Sequence, residues 1–251
     1  MNLGLSGRAY VVTGGSRGLG RATAAELVAE GAAVVVSARD ERAVTDAVAG
    51  LGGDAVGVAA DNADPATPQR LVEAATRRWG RLDGAVVSVG GPAAGRVTEV
   101  SDEDWRAGFE SVFLGTVRLV RTVAASVGAG GSIVLVLSTS ARSPIAGLAV
   151  SNGLRPGLAM VAKDLADELG PRGVRVNGLL PGRVATDRTV ELDALTGDAE
   201  AARAERSATI PLRRYGEPEE FARVAAFVLS PAASYVTGTM IAVDGGALRV
   251  P

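Results

Sequence analysis

Four glycines set among small residues, Thr13-Gly14-Gly15-Ser16-Arg17-Gly18-Leu19-Gly20, form the segment of this chain best suited to hold a phosphate. The segment follows a β-branched run and opens a helical pattern. In that setting Gly14 permits a tight strand exit, Gly18 lets backbone approach a pyrophosphate, and Gly20 packs the helix onto the sheet. The helix N-terminus, carrying Ser16, Arg17 and Leu19, offers amide donors and a favourable dipole. The spacing is neither Gly-x-Gly-x-x-Gly nor a phosphate loop ending in Gly-Lys-Ser/Thr, and for the glycines alone a plain tight turn is the alternative. Cofactor choice is read about twenty residues further on, where users of NAD(H) place an acid on the ribose. Here the second strand ends Ser37-Ala38-Arg39. Arg39, flanked by Arg17, suits a 2′-phosphate and therefore NADP(H). The competing reading leaves both arginines solvated and gives the ribose to Asp40. The chain has no cysteine and no histidine. Disulfides, thiol nucleophiles and histidine-based catalysis or zinc ligation are excluded, and no metal site is expected.

The elements that must position this loop follow from hydropathy. Short apolar runs at Ala9–Thr13, Ala33–Ser37, Ala55–Ala59, Ala85–Val89, Ser132–Leu137, Val174–Leu179 and Met240–Val243 read as strands buried on both faces. Between them, Leu19–Glu30, Glu41–Leu51, Ala66–Trp79, Asp102–Val127, Leu154–Leu169 and Pro218–Leu229 read as helices, several closed by glycine. The alternation predicts an α/β Rossmann-type doubly wound parallel sheet of about seven strands, a single domain over residues 1–251. The polar, alanine-rich stretch Thr186–Ala208 breaks the rhythm. It reads either as a surface helix or as a lid over a substrate. The formal net charge of -2 gives no reason to expect nucleic acid. No apolar run is long enough for a membrane span, and Met1–Gly7 has no signal-peptide pattern, so a cytoplasmic setting is the default.

Further segments fall in a familiar order. They are Asp61 after the third strand, Gly80-Arg81-Leu82-Asp83, Arg175-Val176-Asn177, Pro181-Gly182 with Thr186, and Val236-Thr237-Gly238 through Asp244-Gly245-Gly246. With the Thr13–Gly20 loop they make the chain resemble, over essentially its whole length, the short-chain dehydrogenase/reductases related to 3-oxoacyl-acyl-carrier-protein reductase. The resemblance implies that Asp61 meets the adenine, with Asn62, Ser88 and Gly90 also lining the cofactor. It places Pro181, Gly182, the backbone of Val184 and the hydroxyl of Thr186 beside the nicotinamide. The family uses an Asn-Ser-Tyr-Lys tetrad, and here the sequence departs from it. The Asn position falls on Val112, Ser138 matches the serine, Ser151 stands for the tyrosine, and Arg155 stands for the lysine that holds the ribose. The fourth-strand motif reads Val87-Ser88-Val89-Gly90. Serine is a far weaker acid than a phenol of pKa about 10. Loss of a matched acid costs ~10²–10⁴-fold in rate. Water held by Ser138, Ser151 and Asn152 would have to deliver the proton.

Three readings follow. One is an atypical NADP(H)-dependent oxidoreductase acting on a small carbonyl or hydroxyl substrate, with Ser138, Ser151 and Arg155 as catalytic residues. Another is a non-redox enzyme on the same scaffold: an isomerase, cyclase or lyase. The third is a protein that binds NADP(H) without turnover. Arg96, Arg142, Arg183 and Arg188 are candidates to face an anionic substrate, or else solvated surface residues. The resemblance also implies a homotetramer or dimer built on the long helices, with Gly108, Gly115, Gly157 and Ala166 admitting close approach.

Overall fold

The computed structural model describes residues 2–195 and 197–250. Seven strands form one parallel sheet in the order β3-β2-β1-β4-β5-β6-β7. They are β1 (Ala9–Thr13), β2 (Ala33–Ala38), β3 (Ala55–Ala59), β4 (Gly84–Ser88), β5 (Ser132–Val136), β6 (Arg175–Pro181) and β7 (Met240–Val243). Alternating side chains split the core between the two faces. Val11, Val35, Ala85, Ile133 and Leu135 point to one face, under α3 (Thr67–Trp79), α5 (Gly115–Ser126) and α6 (Ala149–Leu169). Tyr10, Val12, Val34, Val36 and Val134 point to the other, under α1 (Gly18–Ala29) and α9 (Pro218–Leu229). Helix α2 (Glu41–Leu51) joins β2 to the edge strand β3. No helix among the described residues is long and apolar enough to cross a membrane.

The strand order reverses at β1, which pairs with β2 on one side and β4 on the other. Chains leave these strands in opposite directions there, so a crevice opens at their carboxyl ends. Thr13 closes its floor: its hydroxyl donates to Ser88 O at 2.8 Å and accepts from Ser88 N at 3.0 Å.

Three elements depart from the sequence expectation. The helix expected over 102–127 is α4 (Asp102–Gly108) and α5 joined by a wide π-helical turn at Phe109–Leu114. Helix α6 starts at Ala149, five residues before the expected Leu154, and carries Gly153 and Pro156 inside it. Pro156 cannot donate to Asn152 O, yet burial of Val150, Leu154 and Leu158 outweighs that loss. The stretch after β6 holds two helices, α7 (Asp187–Ala194) and α8 (Ala199–Thr209). The small residues expected at a subunit interface also meet close neighbours within the chain. A Cβ on Gly108 would stand 2.6 Å from Val150, one on Gly157 2.9 Å from Phe113, and one on Gly115 2.3 Å from Asn62 O. Ala166 is buried in the core.

Candidate active site

The glycine loop bridges β1 and α1 at the crevice. Gly14 has φ +59°, and a Cβ there would stand 2.7 Å from Ser88 O. A Cβ on Gly20 would stand 2.3 Å from Gly14 O, so α1 sits against the strand exit only because this residue is glycine. Gly18, at φ +54°, begins α1, and Arg17 before it makes no capping bond. The amides of the first turn are therefore not sealed by a side chain. Ser16 and Leu19 lie half-buried in the same loop. Beyond β2, Arg39 is exposed, whereas the Asp40 carboxylate caps α2 by accepting from Ala43 N at 2.7 Å. Asp61 is exposed at the end of β3, where its carboxylate accepts from Ala63 N. Asn62 follows, its carbonyl packed on Gly115. Ser88 ends β4 and Gly90 is exposed at the rim.

On the far side of the crevice, Pro181 ends β6 and Gly182 lies so close to Asp244 that a Cβ would stand 2.6 Å from it. Val184 then forms a short parallel bridge with Gly216. Gly216 N donates to Arg183 O, and Ala185 N donates to Gly216 O. Thr186 starts α7, with its hydroxyl paired to that of Thr189 at 3.0 Å. Its methyl lies 3.5 Å from where a Gly18 Cβ would be, so α7 reaches over the glycine loop. Arg17 meets Glu191 at 3.3 Å from below, and Arg188 donates to Pro92 O at 3.0 Å across the opening. The first part of the stretch, α7, thus lies across the opening of the crevice.

Between these walls the chain brings Ser138, Ser151 and Arg155 together. Ser138 leaves β5 in extended conformation and its Oγ accepts from Ser140 N at 3.1 Å. The Ser140 hydroxyl lies 3.0 Å from the Ser151 hydroxyl, and both are buried. One turn of α6 further on, Arg155 is 5% exposed. It donates from Nη1 to Val136 O at 2.8 Å and from Nη2 to Val89 O at 3.4 Å, at the ends of β5 and β4. Its Nε has no partner, and no carboxylate among the described residues pairs with it. Burial lowers its pKa to about 10, so it stays charged at neutral pH.

Asn152 spends one donor and one acceptor of its amide on Ile145 O and Ile145 N, both at 2.9 Å. The four arginines do not form a common lining. Arg96 is exposed beside Glu99, Arg142 donates to Met240 O, and Arg183 turns toward Asp193, leaving Arg188 at the opening. None of the chain's three tyrosines stands beside Ser151. Tyr10 is buried under α1 and α9, Tyr215 donates to Asp193, and Tyr235 is fully exposed. Val112 is buried in the core.

Comparison with known proteins agrees with this architecture. Residues 14–247 match the sequence model described as enoyl-(acyl carrier protein) reductase. The chain is 36% identical over 246 residues to an uncharacterized oxidoreductase of Methylorubrum extorquens, covering 96% of this chain and 98% of that one. Its fold matches the crystal structure of L-sorbose reductase from Gluconobacter frateurii, complexed with NADPH and L-sorbose, with a TM-score of 0.93, 30% identity and 100% coverage of both chains. A short chain oxidoreductase from Pseudomonas aeruginosa PAO1 containing an atypical catalytic center matches with a TM-score of 0.91 and 31% identity, over 99% of this chain and 100% of that one. Alike to these proteins along nearly its whole length, in sequence and in fold, the chain belongs to the short-chain dehydrogenase/reductase family of oxidoreductases.

Proposed function

We propose that this oxidoreductase reduces a small carbonyl substrate, or oxidises the matching alcohol, with NADP(H), using hydroxyl groups and a buried arginine where its family uses a phenol and a lysine. The observation that carries the proposal is the chain of hydroxyls Ser138, Ser140 and Ser151 beside Arg155, at the carboxyl ends of β4 and β5. The crevice fits a nicotinamide dinucleotide. A Cβ at Gly14 or Gly20 would collide with the loop, and the first turn of α1 is open to a pyrophosphate. Arg39 and Arg17 are exposed for a 2′-phosphate, while Asp40 is held by its own helix. When bound, the nicotinamide supplies the hydride. Asp61 and Asn62 face the adenine side, Ser88 and Gly90 the ribose, and Pro181, Gly182, Val184 and Thr186 the carboxamide. The Ser138 hydroxyl, which accepts from Ser140 N, keeps its proton free to donate to the substrate oxygen. Ser151 holds the water that delivers the proton, with Ser140 fixing its orientation. The Arg155 charge stabilises the alkoxide as it forms and orients the ribose. A cytoplasmic setting goes with this reading, as does self-association through the exposed side chains of α6 and the preceding π turn.

NADPH oxidation measured across a panel of carbonyl compounds tests the proposal. Turnover is expected, and Ser138→Ala should lower it by roughly 10²–10³-fold, since it removes a donor aimed at developing charge. The lack of any tyrosine at Ser151 favours a second reading, a non-redox isomerase, cyclase or lyase, or binding without turnover. Nucleotide released on denaturing the purified protein, with no NADPH oxidation on any carbonyl, would select it. Calorimetry should show NADPH bound at least tenfold more tightly than NADH, about 1.4 kcal/mol. Arg39→Asp should narrow or invert that gap, and equal affinities in the native chain would reject the NADP(H) assignment.

A further inference from the structure

Asp193 is a buried carboxylate on which side chains from three separate segments converge. Its side chain is 5% exposed near the end of α7. Arg183, two residues after Pro181, approaches at 3.5 Å. Arg206 of α8 forms an ion pair with it, and the Tyr215 hydroxyl donates to its other oxygen at 3.0 Å. The ring of Tyr215 carries a second cation, the guanidinium of Arg203, 4.7 Å from its centre. Burial raises the Tyr215 pKa, and the bond to Asp193 raises it further, so the phenol remains a donor at neutral pH.

What makes this cluster more than a surface ion-pair network is where its partners begin. Arg183 and Tyr215 flank the two halves of the Val184–Gly216 bridge. Both halves thus hand a side chain to the same carboxylate. Thr189, on the same helix as Asp193, donates to Val184 O from the other end of the segment. The backbone at Gly182–Thr186 is fixed by these contacts and by Gly182 N donating to Val243 O.

We propose that Asp193 is a positioning residue for the nicotinamide end of the cofactor. It acts through Arg183 and Tyr215 to hold Gly182–Thr186 and to seat α7 and α8 over the crevice. The inference rests on the reading of Gly182–Thr186 as the wall that meets the nicotinamide. The Asp193 cluster belongs to this wall; the adenine side is held by Arg39 and by Arg17, whose contact with α7 runs through Glu191 and Asp187 and not through Asp193. A change at Asp193 should therefore be felt by the whole dinucleotide and not by its adenine half.

The test compares NADPH with adenosine 2′,5′-bisphosphate, which lacks the nicotinamide, by calorimetry on the full chain. Asp193→Asn removes the charge while keeping the shape. It should weaken NADPH about tenfold, as expected when one charge-assisted contact no longer orders the segment. Affinity for the bisphosphate should stay within about twofold of the native value, while Asp193→Glu should recover part of the NADPH affinity. Tyr215→Phe removes one bond only and should act in the same direction by a smaller factor, which keeps the test open should Asp193→Asn not fold. Equal weakening of both ligands would show a general structural role and overturn the proposal, as would unchanged NADPH affinity in both Asp193→Asn and Tyr215→Phe. A native chain that binds the bisphosphate and NADPH equally well would instead remove the nicotinamide wall itself, a separate and recognisable failure.

Discussion

Exchange of a phenol for a hydroxymethyl group changes the volume of a site as well as its acidity. Ser151 is buried against Ser140, so a tyrosine there would have to occupy space that a substrate can use in the native chain. Arg155, longer than lysine, spends its two terminal nitrogens on Val136 O and Val89 O and leaves Nε alone. Two outcomes of the double change Ser151→Tyr with Arg155→Lys can therefore be told apart. In the proposed reductase it should raise NADPH-dependent carbonyl reduction by up to ~10²–10⁴-fold, the worth of a matched acid. If the present residues serve a different reaction, the phenol should abolish it. Arg155→Ala alone should weaken NADPH by about 1–3 kcal/mol, as for charged hydrogen bonds. Unchanged affinity in that variant would mean that the guanidinium serves only the strand ends.

At the scale of elements, a second buried arginine does structural work. Arg175 begins β6 and gives its guanidinium to the carbonyls of Val228, Leu229, Ser230 and Val236, closing the C-terminus of α9. Burial lowers its pKa, but four acceptors and the negative end of the helix dipole hold the charge. Arg175→Met should lower the unfolding free energy by about 2–3 kcal/mol, read as a lower urea midpoint with little change in slope. An unshifted midpoint would show that water satisfies those carbonyls equally well. Helix and strand limits were legible where chemistry is local. β1, β3, β7, α2 and α9 fall where their apolar runs and flanking turns put them. The start of α6 was not: the expected helix began only after Gly153, and it is Trp105 packed on Gly153 that shows why a glycine is wanted there. The glycine loop was readable because Gly14, Gly15 and Gly20 answer contacts within a few residues or one strand away. The Asp193 cluster was not, since Arg183, Arg206 and Tyr215 carry no periodic signal that points to one carboxylate.

At the scale of the whole molecule, the helices over one sheet face leave apolar groups outward. Phe109 and Phe113 stack with centroids 5.3 Å apart, Gly157 lies against Phe113, and Met160 stands 64% exposed one turn along α6. Clustered exposed apolar groups of this kind mark contact surfaces more often than solvent-facing ones. The proposed self-association predicts a dimer or tetramer in light scattering at micromolar concentration. Met160→Glu should lower the measured mass by burying a charge in the contact. A monomeric native chain would dispose of the idea, and would leave the two phenylalanines as a local brace for the π turn.

The reversal of strand order at β1 has a consequence for how the chain comes together as it is made. β1 to β3 with their helices emerge first, yet one edge of β1 stays unpaired until Tyr10, Val11 and Val12 meet Gly84, Ala85 and Val86. Parallel pairings of such sequence separation form slowly, and an open apolar edge invites pairing with another chain in the interval. Fragments ending before β4 should therefore aggregate, and fragments that include it should remain dispersed more readily. The same hydroxyl that joins Thr13 to Ser88 beneath the crevice closes that edge, so the floor of the site is also among the late events of folding.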